Sequence, residues 1–516
     1  MSWAGGTGVC ILAAASVAML AALPALADVR PPRSDAARQE GLLHKAADTG
    51  ISIVRMPRRP YSGSSNQTAS QETPKPQPKP QNPTPSPQGR LVKVTAKVGA
   101  QPNDPGRGWL GVYMEALELP LALSLGLVNG DGALLLGIVS SGPAAQAGLR
   151  LGDIVVGMNG HAIVTMDDLR QKVANISPGV EANLEVWRVS DDDFLQTLRR
   201  LADEGNAHVM YRLGRIYASG SGVTRDNTQA AQWYRKGADA GNANAMMALA
   251  LMLMDGRGIG LNVPEGLRLM RTAAGRNHVE AMNRLGHILV EGRVADKDTL
   301  EAARLFTRAA EAGHVPSMVD LAWMYSSGIG VQVDYAKSAM WHKQAADLGN
   351  AAGMVGLGML HEGGRGVETD VNRAAMLYKR AADLGNSGGM VQLALLHAAG
   401  KGVERNDAAA VSLYRKAAAL NNSAAMNNLA WMLQGGRGVD RPDPDEAADF
   451  MMKALDRRNE FSLRQMTKFH SQGWSRGFRK SMQERLRAAG FYSGRIDGHF
   501  RATSITAVNN YFNRAR

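Results

Sequence analysis

The sequence predicts a multidomain chain: a small α/β domain, an all-α helix-pair solenoid of seven repeats, and a short C-terminal helical module. Three observations carry this. The stretch 204–458 repeats about every 36 residues, with units opening at Gly205, Gly241, Gly275, Gly313, Gly349, Gly385 and Asn421. Self-similarity at that period is the mark of stacked helix pairs. Ahead of it, 107–190 alternates short apolar runs with glycine turns, as a compact sheet-containing domain does. Behind it, 459–516 is a short basic segment outside the repeat.

In chain order, 1–27 contains no Asp, Glu, Lys or Arg, and an apolar run from Val9 to Leu23 ends in Pro24-Ala25-Leu26-Ala27. This is expected to be a secretion signal cleaved before Asp28. The run is short for a membrane span, which needs ~20 apolar residues. Cys10, the single cysteine, would leave with the signal. The mature chain would have no thiol, which suits an oxidising periplasm and excludes disulfides, thiolate metal sites and cysteine nucleophiles.

Residues 28–106 are expected to be a basic, Pro-rich linker, largely disordered. Pro74-Lys75-Pro76-Gln77-Pro78-Lys79-Pro80, followed by Pro83, Pro85 and Pro87, can form neither ladder nor core. Charge is uneven along the chain. Residues 28–100 hold twelve Lys/Arg against five Asp/Glu, and 459–516 hold eleven against three, within a net charge of +12. Basic ends suit an anionic surface such as cell wall. Few aromatics and an exported chain argue against nucleic acid.

In 107–190, strands are expected at Gly111–Glu115, Leu134–Val139, Ile154–Met158 and Ala182–Val189. A helix is expected at Met166–Val173, capped by Thr165. Gly108-Trp109-Leu110-Gly111-Val112, then Ser141-Gly142-Pro143-Ala144-Ala145-Gln146-Ala147-Gly148-Leu149 before Gly152-Asp153-Ile154-Val155, then Met158-Asn159-Gly160, stand in one frame. This set resembles a bacterial PDZ domain of the kind found behind HtrA-family serine proteases. The resemblance implies a peptide clamp: Leu110, Gly111 and Val112 would offer backbone N–H groups to a C-terminal carboxylate. The peptide would add as a strand beside Val112 to Met114, and Leu169 and Val173 would line the pocket for its last side chain.

Within 204–458, Ala and Leu recur at helical spacing around a Gly-rich turn. In the first unit these are Ala207 to Ala218, Gly220-Ser221-Gly222-Val223, and Asn227 to Ala238. Asp226, Asp334 and Asp370 sit where caps of second helices belong, and Gly241, Gly349 and Gly385 where those helices end in a left-handed residue. Leu213-Gly214-Arg215-Ile216-Tyr217 and Ala230-Ala231-Gln232-Trp233-Tyr234-Arg235-Lys236 recur as Leu321-Ala322-Trp323-Met324-Tyr325 and Ala339-Met340-Trp341-His342. These units resemble SEL-one-like repeats, helix-pair relatives of tetratricopeptide repeats. The resemblance implies a protein-binding inner face made by the first helices. Met246, Met282, Met318, Met354, Met390 and Met426 recur at one offset and read as core filler.

Two chemical signals fail on register. Gly385-Asn386-Ser387-Gly388-Gly389 spells the nucleophile motif of the same protease family. However, Ser387 opens a repeat where the preceding unit has Ala351, so it is not expected to be catalytic. His287, His361 and His397 each lie twelve residues after their unit's glycine, with no Asp or Glu recurring beside all three; no metal site is expected. Residues 474–516 resemble half of a peptidoglycan-binding helical domain, in Gln483, Leu486, Gly490-Phe491-Tyr492, Gly494-Arg495-Ile496-Asp497-Gly498, Phe500, Ala507-Val508 and Tyr511. Arg501-Ala502 and Ser504 depart from that pattern, which leaves a structural cap as the other reading.

The sequence therefore points to a non-enzymatic periplasmic scaffold without cofactor. Its expected partners are proteins, held by the clamp and the repeats, with peptidoglycan as a further one. The alternative is a periplasmic regulator that sequesters a sensor or protease.

Overall fold

The computed structural model describes residues 89–101, 104–467 and 473–514. The expected signal and most of the expected linker lie outside the described residues. The chain first forms strands β1 (Arg90–Lys97), β2 (Gly99–Gln101), β3 (Asp104–Trp109), β4 (Val112–Ala116), β5 (Ala133–Ile138), β6 (Ile154–Met158), β7 (His161–Ala162) and β8 (Glu181–Arg188). The main sheet has the order β1-β8-β6-β5-β4, with β7 on β6; β2 and β3 form a separate hairpin.

The first described strand, β1, thus lies inside the stretch expected to be linker. β1 pairs antiparallel with β8 from Arg90 opposite Arg188 to Lys97 opposite Glu181. The cause is visible afterwards: Val94, Ala96 and Val98 are buried while Lys93, Thr95 and Lys97 are exposed, the period-two pattern of a half-buried strand. Alternate lysines beside a Pro-rich tract masked it.

Helices α1 (Leu119–Ser124), α2 (Pro143–Gln146) and α3 (Met166–Ala174) complete this domain. Thr165 caps α3 by accepting from Asp168 N at 3.1 Å. The two faces of β5 go to different cores. Ala133 and Leu135 pack with Leu110, Leu169 and Val173 under α3. Leu134 and Leu136 pack with Leu121, Phe194, Leu198, Leu213 and Ile216, across the boundary into the array.

Helix α4 (Asp191–Asp203) makes that bridge. Ser190 caps it, Asp191, Asp192 and Asp193 complement its N-terminal dipole, and Phe194 and Leu198 are fully buried. Its end copies the end of every second helix. Gly205 N donates to Ala202 O and Asn206 N to Leu201 O, as Gly241 N does to Ala238 O and Asn242 N to Gly237 O. α4 therefore stands as the second helix of a repeat ahead of the first, and the sheet takes the place of that repeat's first helix.

Seven helix pairs follow. Their first helices open at Ala207, Ala243, Val279, Val315, Ala351, Ser387 and Ser423, a uniform step of 36. The uneven steps expected around Gly275 are corrected: the left-handed residue there is Asn277, with φ 62°, not Gly275. Asn can take that conformation because its short polar side chain hydrogen-bonds locally. Asp226, Asp334 and Asp370 cap second helices as expected. First helices touch one another between repeats, notably in repeats 4 to 6, so they line the inner side of the stack.

Arg458, φ 57°, marks an eighth opening. The helix Glu460–Thr467 follows it as a lone first helix, with Ser462 Oγ donating to Asn427 Oδ1 at 3.0 Å. The chain then departs from the repeat. Helices Arg476–Ala488 and Ala502–Asn513 close the end, and Phe478, Met482, Leu486 and Val508 are fully buried with Met451 and Leu455 of the last repeat.

Candidate functional site at the junction of sheet and array

β4 is the outermost strand of the main sheet and pairs only with β5. The turn that feeds it is held from both sides. Ala144 N donates to Leu110 O and Val139 N to Gly111 O, both at 2.8 Å. Gly111 has φ 76°, and a Cβ on Gly108 would lie 2.2 Å from Val173 O, so both positions require glycine. Among the described residues, neither Leu110 nor Gly111 donates its own backbone N–H. Those groups and the free edge of β4 are unspent hydrogen-bonding capacity of the domain.

The residues expected to line a peptide pocket separate into two groups. Val112 and Met114 are half-buried on the α3 side of β4. Leu169 and Val173 are only 1% and 7% exposed, packed with the buried Leu110 in the domain core. The two groups meet in one core beneath α3.

The opposite face of β4 belongs to the first repeat. Glu115 accepts from Arg212 Nε at 2.8 Å and pairs with Arg215, and His208 Nε2 lies 3.5 Å away. Arg212 also donates to Ala116 O at 2.8 Å and is 1% exposed. Burial would raise the Glu115 carboxyl, but hydrogen bonds from His208 and Arg212 and the Arg215 charge outweigh it and hold it at about 2. Sequence reasoning missed this group. Arg212 and Glu115 lie 97 residues apart, and an Arg within a helical repeat reads as a solvated side chain.

Elsewhere the candidate residues have structural partners. Ser387 opens the first helix of repeat 6, and its hydroxyl accepts from Asn422 Nδ2 at 3.1 Å. His361 Nδ1 and His397 Nδ1 lie 3.1 and 3.2 Å from Glu368 O and Glu404 O, tying each first helix to its own turn. His287 does not share their position. With repeat 3 opening at Asn277, it lies two residues earlier in its unit, with Nε2 3.0 Å from Asp320 Oδ2. Burial lowers its pKa, but the Asp320 hydrogen bond and charge prevail and raise it. Asn283 Nδ2 donates to the same Asp320 at 2.7 Å. Among the described residues no group of His, Cys, Asp and Glu could hold a metal ion.

A PDZ domain profile matches residues 108–198, and a Sel1 repeat profile matches 207–242, 243–278, 279–314, 315–350, 351–386, 387–422 and 423–459. The chain carries a PDZ domain and seven Sel1 repeats. The PDZ region is 44% identical over 82 residues to a probable periplasmic serine endoprotease, DegP-like, of Brucella suis, covering 16% of each chain. It is 42% identical over 82 residues to the corresponding protein of Pseudomonas fulva, covering 16% of this chain and 17% of that one. The chain thus spans about a sixth of the length of these relatives, within the PDZ region alone. Among solved structures, a Sel1 repeat protein from Oxalobacter formigenes is 27% identical, covering 52% of this chain and 78% of its own, with a TM-score of 0.45. A protective antigen of uropathogenic Escherichia coli with an SLR fold is 24% identical, covering 62% and 86%, with a TM-score of 0.37. PDZ domains and Sel1 repeats are interaction modules, and the two together make this chain a protein-interaction scaffold.

Proposed function

We propose that this scaffold is exported to the periplasm, where the PDZ domain takes a peptide C-terminus and the first helices of the repeats take a folded protein. What carries the reading is the single core running from Leu134 and Leu136 of the sheet through Phe194 to Leu213 and Ile216 of the first repeat. A clamp fused in this way cannot swing, so it offers its edge and the inner face of the array to one partner at a fixed spacing. The DegP-like relatives of the PDZ region support the compartment, and among the described residues no helix is long and apolar enough to cross a membrane.

The test is photo-crosslinking in cells. A crosslinker at Tyr113, 57% exposed on β4, and one at Trp431, 39% exposed on a first helix, should trap the same protein. One at Met376, on a second helix and 61% exposed, should not trap it. If the three positions trap unrelated proteins or none, the scaffold does not work this way. N-terminal sequencing of material released by osmotic shock should begin at Asp28.

Attachment to peptidoglycan is the second part of the proposal. Much of the basic charge of the C-terminal module has partners within the fold. Arg476 donates to Asp497 O, Arg487 to Gly494 O, and Arg485 pairs with Asp449. Among the described residues of 474–516, the basic side chains left to meet an acidic stem peptide are the exposed Lys480 and Arg495. The mature protein should pellet with purified sacculi in a salt-sensitive way, and the K480Q/R495Q variant should not. Equal pelleting, or none by either form, makes the module a cap alone.

A further inference from the structure

We propose that the first repeat forms one wall of the peptide clamp, so that the clamp selects a peptide with an acidic side chain facing Arg215. This rests on the clamp reading above. A strand added to the free edge of β4 lies about 4.8 Å beyond it, and its side chains alternate between two faces. Those level with Val112 and Met114 turn toward α3. Those level with Tyr113 and Glu115 turn toward the array.

The array side is not open solvent. Glu115 is gripped by Arg212 and Arg215 of the first helix of repeat 1. The turn of that repeat reaches the sheet as well: a Cβ on Gly137, opposite Tyr113, would lie 3.0 Å from Tyr113 and 3.3 Å from Ser221 Oγ. With a terminal carboxylate on the N–H groups of Leu110 to Val112, the last residue faces α3. The penultimate and fourth-from-last residues then face repeat 1.

The charges there are not equally available. Arg212 is buried, with Nε on Glu115, Nη2 on Ala116 O and Nη1 shut away from solvent without a partner. The Arg215 side chain is 34% exposed, pairs with Glu115 through one terminal nitrogen, and lies 5.9 Å from the Tyr211 ring centroid. The Glu115 carboxylate is already satisfied by its partners, so the cationic donors a bound peptide can reach are those of the half-exposed Arg215. Glu118, 38% exposed, lies past the end of β4 near His208, which limits favourable ground for an acid to the level of Tyr113 and Glu115.

The experiment uses the full chain and pools of heptapeptides with free carboxyl termini. The pools are randomised except for Glu, Gln or Lys fixed at both the penultimate and fourth-from-last positions. Peptides retained on the immobilised protein are counted by mass spectrometry, and the enriched ones are then measured by fluorescence anisotropy. The wild type should prefer Glu over Lys peptides about tenfold, less at high salt. R215Q should bring the ratio close to one, and R215K should restore most of it, which a purely structural role would not do. Equal retention of the three pools by wild type, or an unchanged ratio in R215Q, overturns the acidic selection while leaving the clamp intact. Retention of no pool by wild type overturns the clamp reading, and this proposal with it.

Discussion

The two ends of the array solve one problem in opposite ways. A stack of helix pairs leaves an unpaired apolar face at each end, which must be covered. At the N-terminal end a sheet covers it, and the contact is locked by a buried ion pair, Arg212 to Glu115. At the C-terminal end the chain begins an eighth repeat and abandons it. Apolar and aromatic packing closes that face, with Trp474 stacked on Phe478 at 4.2 Å and set edge-on to Trp431. A neutral hub, Gln483, fixes the final turn. Its amide donates to Tyr492 OH, His499 O and Ser504 Oγ and accepts from Asp497 N and Gly498 N. A charged lock is costly to break from one side, because the partner is left buried and ionised. A neutral hub fails more gently. The charged lock stands at the end that carries the PDZ domain.

The largest effect should come from breaking the charged lock. Arg212→Ala removes the buried partner of the half-buried Glu115, which keeps only Arg215 and His208, and should cost about 3 kcal/mol. Hydrogen exchange should rise in α4 and the first helix of repeat 1 and stay low in repeats 5 to 7. Uniform exchange along the chain would mean the junction is no separate lock.

Next comes acid, read against the middle of the array. His342 is buried against Gly356 of the next repeat, and a Cβ on Gly356 would lie 2.2 Å from its ring. Burial pushes the His342 imidazole down to about 4. It is neutral when folded and takes up a proton more readily when unfolded. Its contribution is therefore complete above about pH 6.5 and lost as pH falls toward 4, on the order of 3 kcal/mol. Glu115, held at about 2, keeps its contribution above its unfolded value and loses it only between about pH 4 and 2. Acid titration followed by hydrogen exchange should open repeats 4 and 5 before the N-terminal junction. The reverse order would sink this assignment.

Gln483→Ala should cost less, about 1–3 kcal/mol for the unsatisfied groups left behind. The loss should be confined to 473–514, as judged by limited proteolysis after Arg495. Smallest is Ser387→Ala, which removes one hydrogen bond from Asn422 and should cost about 0.5–1 kcal/mol. The variant should leave any peptidase activity of the preparation unchanged; loss of such activity would overturn the reading of Ser387 as a repeat residue.

The helix pairs were legible in the sequence because each is closed by local contacts that recur. Asp226, Asp334 and Asp370 cap their own helices, and Gly241, Gly349 and Gly385 end them with φ between 78° and 90°. Even the true register of repeat 3 was present: Met282 stands 36 residues from both Met246 and Met318, while Gly275 drew the boundary two residues early. β1 was less legible, because its apolar residues are few and alternate with lysines, so only the pairing with β8 shows it to be a strand. The site was half legible. The glycine turn and α3 were placed together, but the closure of Leu169 and Val173 into the core depends on how β3 passes against α3 at Gly108.

Sequence alone determined the units: paired helices, their caps and their turns, since those contacts join residues three to five apart and each unit restates them. Tertiary structure alone decided where the units stop being separate. The fusion of sheet and array depends on Leu134, Phe194 and Leu213 meeting in one core and on Glu115 reaching Arg212. Those residues are far apart along the chain and no periodicity links them, so only the folded packing brings them together.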